Sequence, residues 1–213
     1  MVEREVGLTG RRVLDVGCGA GRLEEALAGR ARIWGVDPSA EMLRVARDKV
    51  PDAAFKLGAA EALPFKDGWF ERAVLWLAVH LVDRPRAFGE LSRVLQADGA
   101  VAIVSFAEPQ FSSHWLARFF PSLPELDRAR FPTEDELRRE LAAAGFGEVR
   151  ALRLELESRL RREVALERLR ARYISTFDLL DEEEIRGGTE RAERELPDEI
   201  EHTLHFLLVF ARR

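Results

Sequence analysis

The chain has 213 residues, of which 46% are hydrophobic and 33% charged, and its formal net charge is −5. That length supplies the core of one ordinary domain, and the acidic balance argues against a nucleic-acid binder. No apolar run approaches the roughly 20 residues of a membrane span, and the lone Cys18 excludes an intramolecular disulfide and a cysteine-built zinc cluster.

Residues 1–12 lack the continuous apolar stretch of a signal peptide, so the expected location is the cytoplasm. From residue 12 onward, short apolar runs alternate with amphipathic ones. Residues 12–16, 32–36, 53–57, 72–77 and 100–106 read as buried strands, rich in β-branched and large apolar side chains. Helices are expected at 22–30 after a run of glycines, at 40–49 with Ser39 as N-cap, and at 85–95 after Asp83. Alternation of this kind makes right-handed crossovers, hence an α/β fold with a doubly wound, mostly parallel sheet.

The last third reads differently. A T-x-x-E capping box from Thr133 to Glu136 opens a helix over 134–144 that Gly145 ends. A strand at 148–157 and an apolar strand at 202–213 bring the expected total to seven. Between them lies a charged helical stretch, roughly 160–195, expected to break at Gly187-Gly188. Without repeats or low-complexity linkers, residues 1–213 are expected to form one domain.

The chemistry sits in VLDVGCGAGRL, 13–23. A buried strand ends at Asp15, and the chain turns through Gly17, Gly19 and Gly21 into a helix, letting backbone N–H groups approach a ligand. The spacing is G-x-G-x-G, with Arg22 where a dinucleotide fingerprint has its third glycine, and no P-loop lysine follows. A nicotinamide-dependent oxidoreductase is therefore the weaker alternative. The second strand runs into Asp37, whose carboxylate suits the two hydroxyls of a ribose, or else merely begins the helix beside Pro38 and Ser39.

Four blocks, at 13–23, 35–43, 58–83 and 86–106, resemble in order the motifs of class I S-adenosylmethionine-dependent methyltransferases. The resemblance is to the ubiquinone/menaquinone-biosynthesis branch of small-molecule enzymes, and extends loosely to 132–149. It implies a Rossmann-like seven-stranded sheet with its last strand antiparallel, and helical insertions at about 107–131 and 160–195. It also implies an enzyme moving the methyl of S-adenosylmethionine, by in-line displacement, to an oxygen, nitrogen or carbon of a small molecule. S-adenosylhomocysteine would remain. A noncatalytic S-adenosylmethionine-binding module is the other alternative. No metal is implied, and the protein is expected as a monomer or homodimer.

Carried over by position, Asp15, Gly17, Cys18 and Gly19 would line the methionine part of the cofactor. Asp37 and Pro38 would meet the ribose, and Met42 would pack near the adenine. Ala59, Ala60 and Glu61 would form the adenine rim. Leu75, Trp76 and Leu77 would close the pocket, with His80 near the methyl group. The family often has Asp where this chain has Ala59, so one hydrogen bond of roughly 0.5–1.5 kcal/mol is missing unless Glu61 or backbone replaces it.

Other residues carry two readings each. His80 is a catalytic base, a pocket wall or a packing residue. Cys18 reads as a small buried side chain rather than a nucleophile. Phe111, Trp115 and Phe119 recur every four residues, suggesting one apolar helical face near His114 that packs on the sheet or closes over substrate. Arg168, Arg170 and Arg172 suit an acidic substrate group or simply face water. With about ten residues before the first strand, cover for the cofactor is expected from 107–131 and 160–195.

Overall fold

Apolar runs separated by capping signals fold as their alternation requires, in a computed structural model that describes residues 1–213. A short helix α1 (Val2–Val6) precedes β1 (Arg12–Val16), α2 (Arg22–Leu27), β2 (Arg32–Asp37), α3 (Ala40–Lys49) and β3 (Ala54–Leu57). Next come β4 (Phe70–Trp76), α4 (Arg84–Val94) and β5 (Leu95–Phe106). The remainder is α5 (Gln110–Ser113), α6 (Leu123–Arg130), α7 (Glu134–Ala143), β6 (Gly147–Arg161), α8 (Arg162–Arg170), α9 (Glu182–Glu195) and β7 (Glu199–Arg212).

The caps behave as their chemistry demands. Ser39 Oγ accepts the N–H of Met42 at 3.2 Å, and Thr133 and Glu136 form the reciprocal capping box of α7. The seven strands lie in the order β3-β2-β1-β4-β5-β7-β6. Neighbours among β1 to β5 are parallel, while β7 runs antiparallel to β5 and β6.

The chain divides into two compact units. The first comprises Met1–Ser105, Thr133–Leu152 and Leu207–Arg213. Its core holds Leu14, Phe70, Leu75, Phe88, Leu91 and Ile103, each fully buried. Each such side chain contributes about 1.5–3 kcal/mol relative to exposure.

The second unit comprises Phe106–Pro132 and Arg153–Phe206. Phe119, Phe120, Leu169, Phe177, Ile185 and Ala192 form its centre, with Phe120 meeting Phe177 edge-on at 5.0 Å. Beside them the buried Thr176 hydroxyl donates to Asp127 at 2.6 Å, while Arg130 donates to Thr176 Oγ1 at 2.8 Å.

Two expectations fail in this unit. The stripe through Phe111, Trp115 and Phe119 is buried, but no single helix carries it. The chain breaks at His114, which is extended (φ −65, ψ 139), and resumes as a 3-10 turn over Trp115–Arg118. His114 Nδ1 caps that turn by accepting the N–H of Leu116. Conversely, α9 runs unbroken through Gly187-Gly188. A Cβ at Gly188 would lie 2.4 Å from the Phe120 ring and 2.8 Å from the Phe119 carbonyl oxygen, whereas one at Gly187 meets nothing within 4 Å. Close packing, not a helix break, requires Gly188. Gly188→Ala should cost about 1–3 kcal/mol through overpacking. Gly187→Ala should instead add about 0.5–1 kcal/mol through helix propensity. Urea denaturation of both variants checks the opposite signs; two changes of the same sign would refute this account.

Candidate active site

The order of strands reverses between β1 and β4, and ligands bind outside the carboxyl ends of strands at such a point. There β1 ends and the chain turns through Gly17 at φ 74. Glycine is required at 17 twice over, because a Cβ would also lie 2.5 Å from that of Ala78. The N–H groups of Gly17 and Cys18 both donate to the Val36 carbonyl, at 2.8 and 3.2 Å. Around Gly19 the situation differs: a Cβ there would meet nothing within 4 Å, so the backbone borders open space.

Asp37 joins three loops. Its Oδ2 accepts the N–H of Gly19 at 2.9 Å and its Oδ1 that of Ser39 at 2.8 Å. Its carbonyl accepts the N–H of Gly58, after β3, at 3.2 Å. The two N–H donors fix the carboxylate plane yet use one acceptor site on each oxygen, leaving capacity on both for two further donors. Pro38 follows directly.

Beyond β3, Ala59 is half-buried and Ala60 buried. Glu61 reaches across the loop, its Oε1 accepting the N–H of Asp83 at 2.7 Å. It thereby braces the start of α4. Beyond β4, Leu75 is fully buried, and Leu77 takes a positive φ of 54 while its N–H donates to Val104 at 2.8 Å. His80 is half-buried in a 3-10 turn over Val79–Leu81. Four large apolar side chains stand exposed: Leu57 (59%) and Trp76 (45%) at the ends of β3 and β4, Leu81 (57%) in the 3-10 turn and Met42 (45%) in the first turn of α3. The motif reading named Met42 and Trp76 but not Leu57 or Leu81; an apolar residue closing a strand was the available signal.

Comparison with known proteins agrees with this arrangement. A methyltransferase-domain family matches residues 14–103. A malonyl-[acyl-carrier protein] O-methyltransferase of Geobacter sulfurreducens is 38% identical over 156 residues, covering 67% of this chain and 58% of the relative. A ubiquinone/menaquinone biosynthesis C-methyltransferase of Citrifermentans bemidjiense is 28% identical over 177 residues, 69% of this chain and 75% of the relative. The crystal structure of a putative methyltransferase from an antibiotic biosynthesis pathway of Anabaena variabilis superposes with a TM-score of 0.78 at 25% identity. It covers 97% of this chain and 94% of that one. The chain carries the match to a methyltransferase domain over residues 14–103 and is similar to class I S-adenosylmethionine-dependent methyltransferases. Its likeness runs to the ubiquinone/menaquinone branch.

The loops of this methyltransferase suit S-adenosylmethionine on chemical grounds. Open space beside the Gly19 backbone admits a ligand, Asp37 retains acceptor capacity, and apolar Met42 and Leu57 offer surface for a flat ring.

Beneath the glycine loop lies an acidic cluster. Asp15 is 2% exposed and Glu24, from α2, is 0% exposed. Burial, and then the neighbouring Glu24 and Asp37 carboxylates, hold the Asp15 carboxyl well above the usual range. Burial likewise raises Glu24 to about 7. The Glu24 and Asp15 carboxyls lie within hydrogen-bond reach of each other, and both Glu24 Oε1 and Cys18 Sγ crowd the face of Gly35, at 2.5 and 2.7 Å from where its Cβ would be. Burial and these carboxylates also push the Cys18 thiol far up, so it stays protonated. A protonated buried thiol is no nucleophile.

Proposed function

We propose that the three loops joined by Asp37 hold the methyl donor. Asp37, with Pro38, takes its ribose; Asp15, Gly17, Cys18 and Gly19 flank its methionine part. Met42, Ala59, Ala60 and Glu61 surround its adenine, and Leu75, Trp76, Leu77 and His80 close the remaining side. The observation that carries this reading is the Asp37 carboxylate, fixed by two backbone N–H groups with acceptor capacity left on each oxygen. Bound S-adenosylmethionine supplies an electrophilic methyl group on a positively charged sulfur.

With the electrophile already activated, alignment by the chain's own residues supplies most of the rate, an effect of roughly 7–11 kcal/mol in well-oriented systems. His80 accepts the proton that an oxygen or nitrogen acceptor loses. Because the relatives above include a C- and an O-methyltransferase, likeness leaves the acceptor atom among oxygen, nitrogen and carbon. Residues 1–213 work as one methyltransferase domain, in the cytoplasm, as a monomer or homodimer.

Calorimetric titration tests this. S-adenosylmethionine and S-adenosylhomocysteine should each bind one per chain, NADH should give no saturable heat, and His80→Gln should keep S-adenosylhomocysteine affinity within about threefold, or 0.7 kcal/mol. No binding of either adenosyl ligand at millimolar concentration would overturn the reading.

A further inference from the structure

In the second unit the His114 ring has two aromatic neighbours. Trp115 lies 5.6 Å away between ring centres, and His202, on β7, lies 5.3 Å away nearly edge-on. Trp115 is 9% exposed, and its indole N–H, a group that can only donate, has no partner. The His202 ring is half-buried and within hydrogen-bond reach of the Ile200 backbone. His114 Nδ1 accepts the Leu116 N–H at 3.3 Å, so a neutral His114 carries its hydrogen on Nε2 and offers a second donor. Both imidazoles are neutral near pH 7. Burial, and then His202, bring His114 down to about 4, while burial and Arg168 lower His202.

The charges confirm the direction. Of the three arginines in and just after the last turn of α8, Arg170 pairs with Glu193 at 2.7 Å and Arg172 grips Glu182 with two bonds at 2.8 and 2.6 Å. Arg168 has no carboxylate; its guanidinium sits 5.7 Å from the centre of the Tyr173 ring. No carboxylate acts on His114 or His202 either. An unpartnered indole N–H, an imidazole N–H and an uncompensated guanidinium make a set rich in donors that repels cations.

We infer that Trp115, His114, His202 and Arg168 form a binding site for a small molecule bearing a carboxylate. A carboxylate accepts from the indole and imidazole and neutralises Arg168, which no neutral donor or amine can do. None of these residues belongs to the methyl-donor site proposed above.

The test uses the whole chain and benzoate as probe, with benzamide as its neutral isostere, at matched ionic strength. Proton–nitrogen spectra report the Trp115 indole, assigned through Trp115→Phe. Benzoate should shift that signal saturably and bind at least about tenfold more tightly than benzamide, a difference of about 1.4 kcal/mol. Arg168→Gln, an exposed change with an unaltered melting temperature, should cost the benzoate affinity about tenfold and leave benzamide unchanged. Equal affinity for the two probes, or no saturable shift of the Trp115 signal with benzoate, overturns the inference. Asp37→Ala should leave the benzoate response intact. Loss of S-adenosylhomocysteine binding beside a normal benzoate response therefore separates failure of the donor site from failure of this one.

Discussion

Asp37→Ala should weaken S-adenosylhomocysteine binding at least about 100-fold, because two hydrogen bonds to a charged group are worth about 1.5–3 kcal/mol each. The wild-type carboxylate cannot rotate away from its task, since Gly19 and Ser39 hold its two oxygens from the backbone. The same geometry makes the substitution structural. Alanine leaves those two N–H groups without their acceptor and loosens the loops after β1 and β2, so some stability should go as well, about 1–3 kcal/mol. Asp37→Asn separates the effects. The amide keeps one acceptor oxygen and puts a second donor where the other was, so it should retain most of the fold but little ribose affinity. Calorimetry and a thermal melt on all three proteins decide the matter. If Asp37→Ala binds within about fivefold of wild type, a difference under 1 kcal/mol, then Asp37 only anchors loops.

The place of Asp37 at the end of β2 was legible in the sequence because strands end where their apolar runs end. The boundaries of β1 and α3 fall where the periodicity and Ser39 place them. What escaped detection depended on partners distant in the chain. Gly188 resembles a helix breaker until Phe119 and Phe120 pack against it from almost seventy residues upstream. His114 sits inside a perfect four-residue apolar spacing, yet its imidazole caps a new turn and ends the helix. Glu61 looked free to receive an adenine amino group until the N–H of Asp83 was found on it, so the vacancy left by Ala59 is filled less fully than spacing suggests. Glu24 is the clearest case. Within R-L-E-E-A-L it reads as an exposed helix residue, while its neighbour Glu25 does extend outward to Lys49 at 2.5 Å. Only the close approach of α2 to Gly35 shows that Glu24 points inward.

That inward carboxyl should make stability depend on pH in an unusual direction. Most carboxylates in folded proteins gain partners and lower their pKa, so stability falls in acid. Glu24 goes the other way: burial raises it from 4.5 to about 7, and no cation offsets the cost. The folded chain therefore holds a proton that the unfolded chain releases between these two values. Its contribution is fully present below about pH 4.5 and is lost as pH rises through about 7, with no further change above. At about 1.4 kcal/mol for each pH unit between the two, the loss is on the order of 3 kcal/mol. Asp15, raised by burial and by Glu24 itself, steepens the same slope. Glu24→Gln removes the titrating group and leaves an amide that donates to the Asp15 carboxyl at every pH. Urea denaturation of both proteins from pH 5 to 8.5 should therefore give curves of different slope, the wild type losing stability upward and the variant staying flatter. Parallel curves would show that Glu24 is ionised in both states, and that a cation or water reaches it behind the glycine loop. A steeper wild-type curve would mean that the loop rests on a protonated carboxyl.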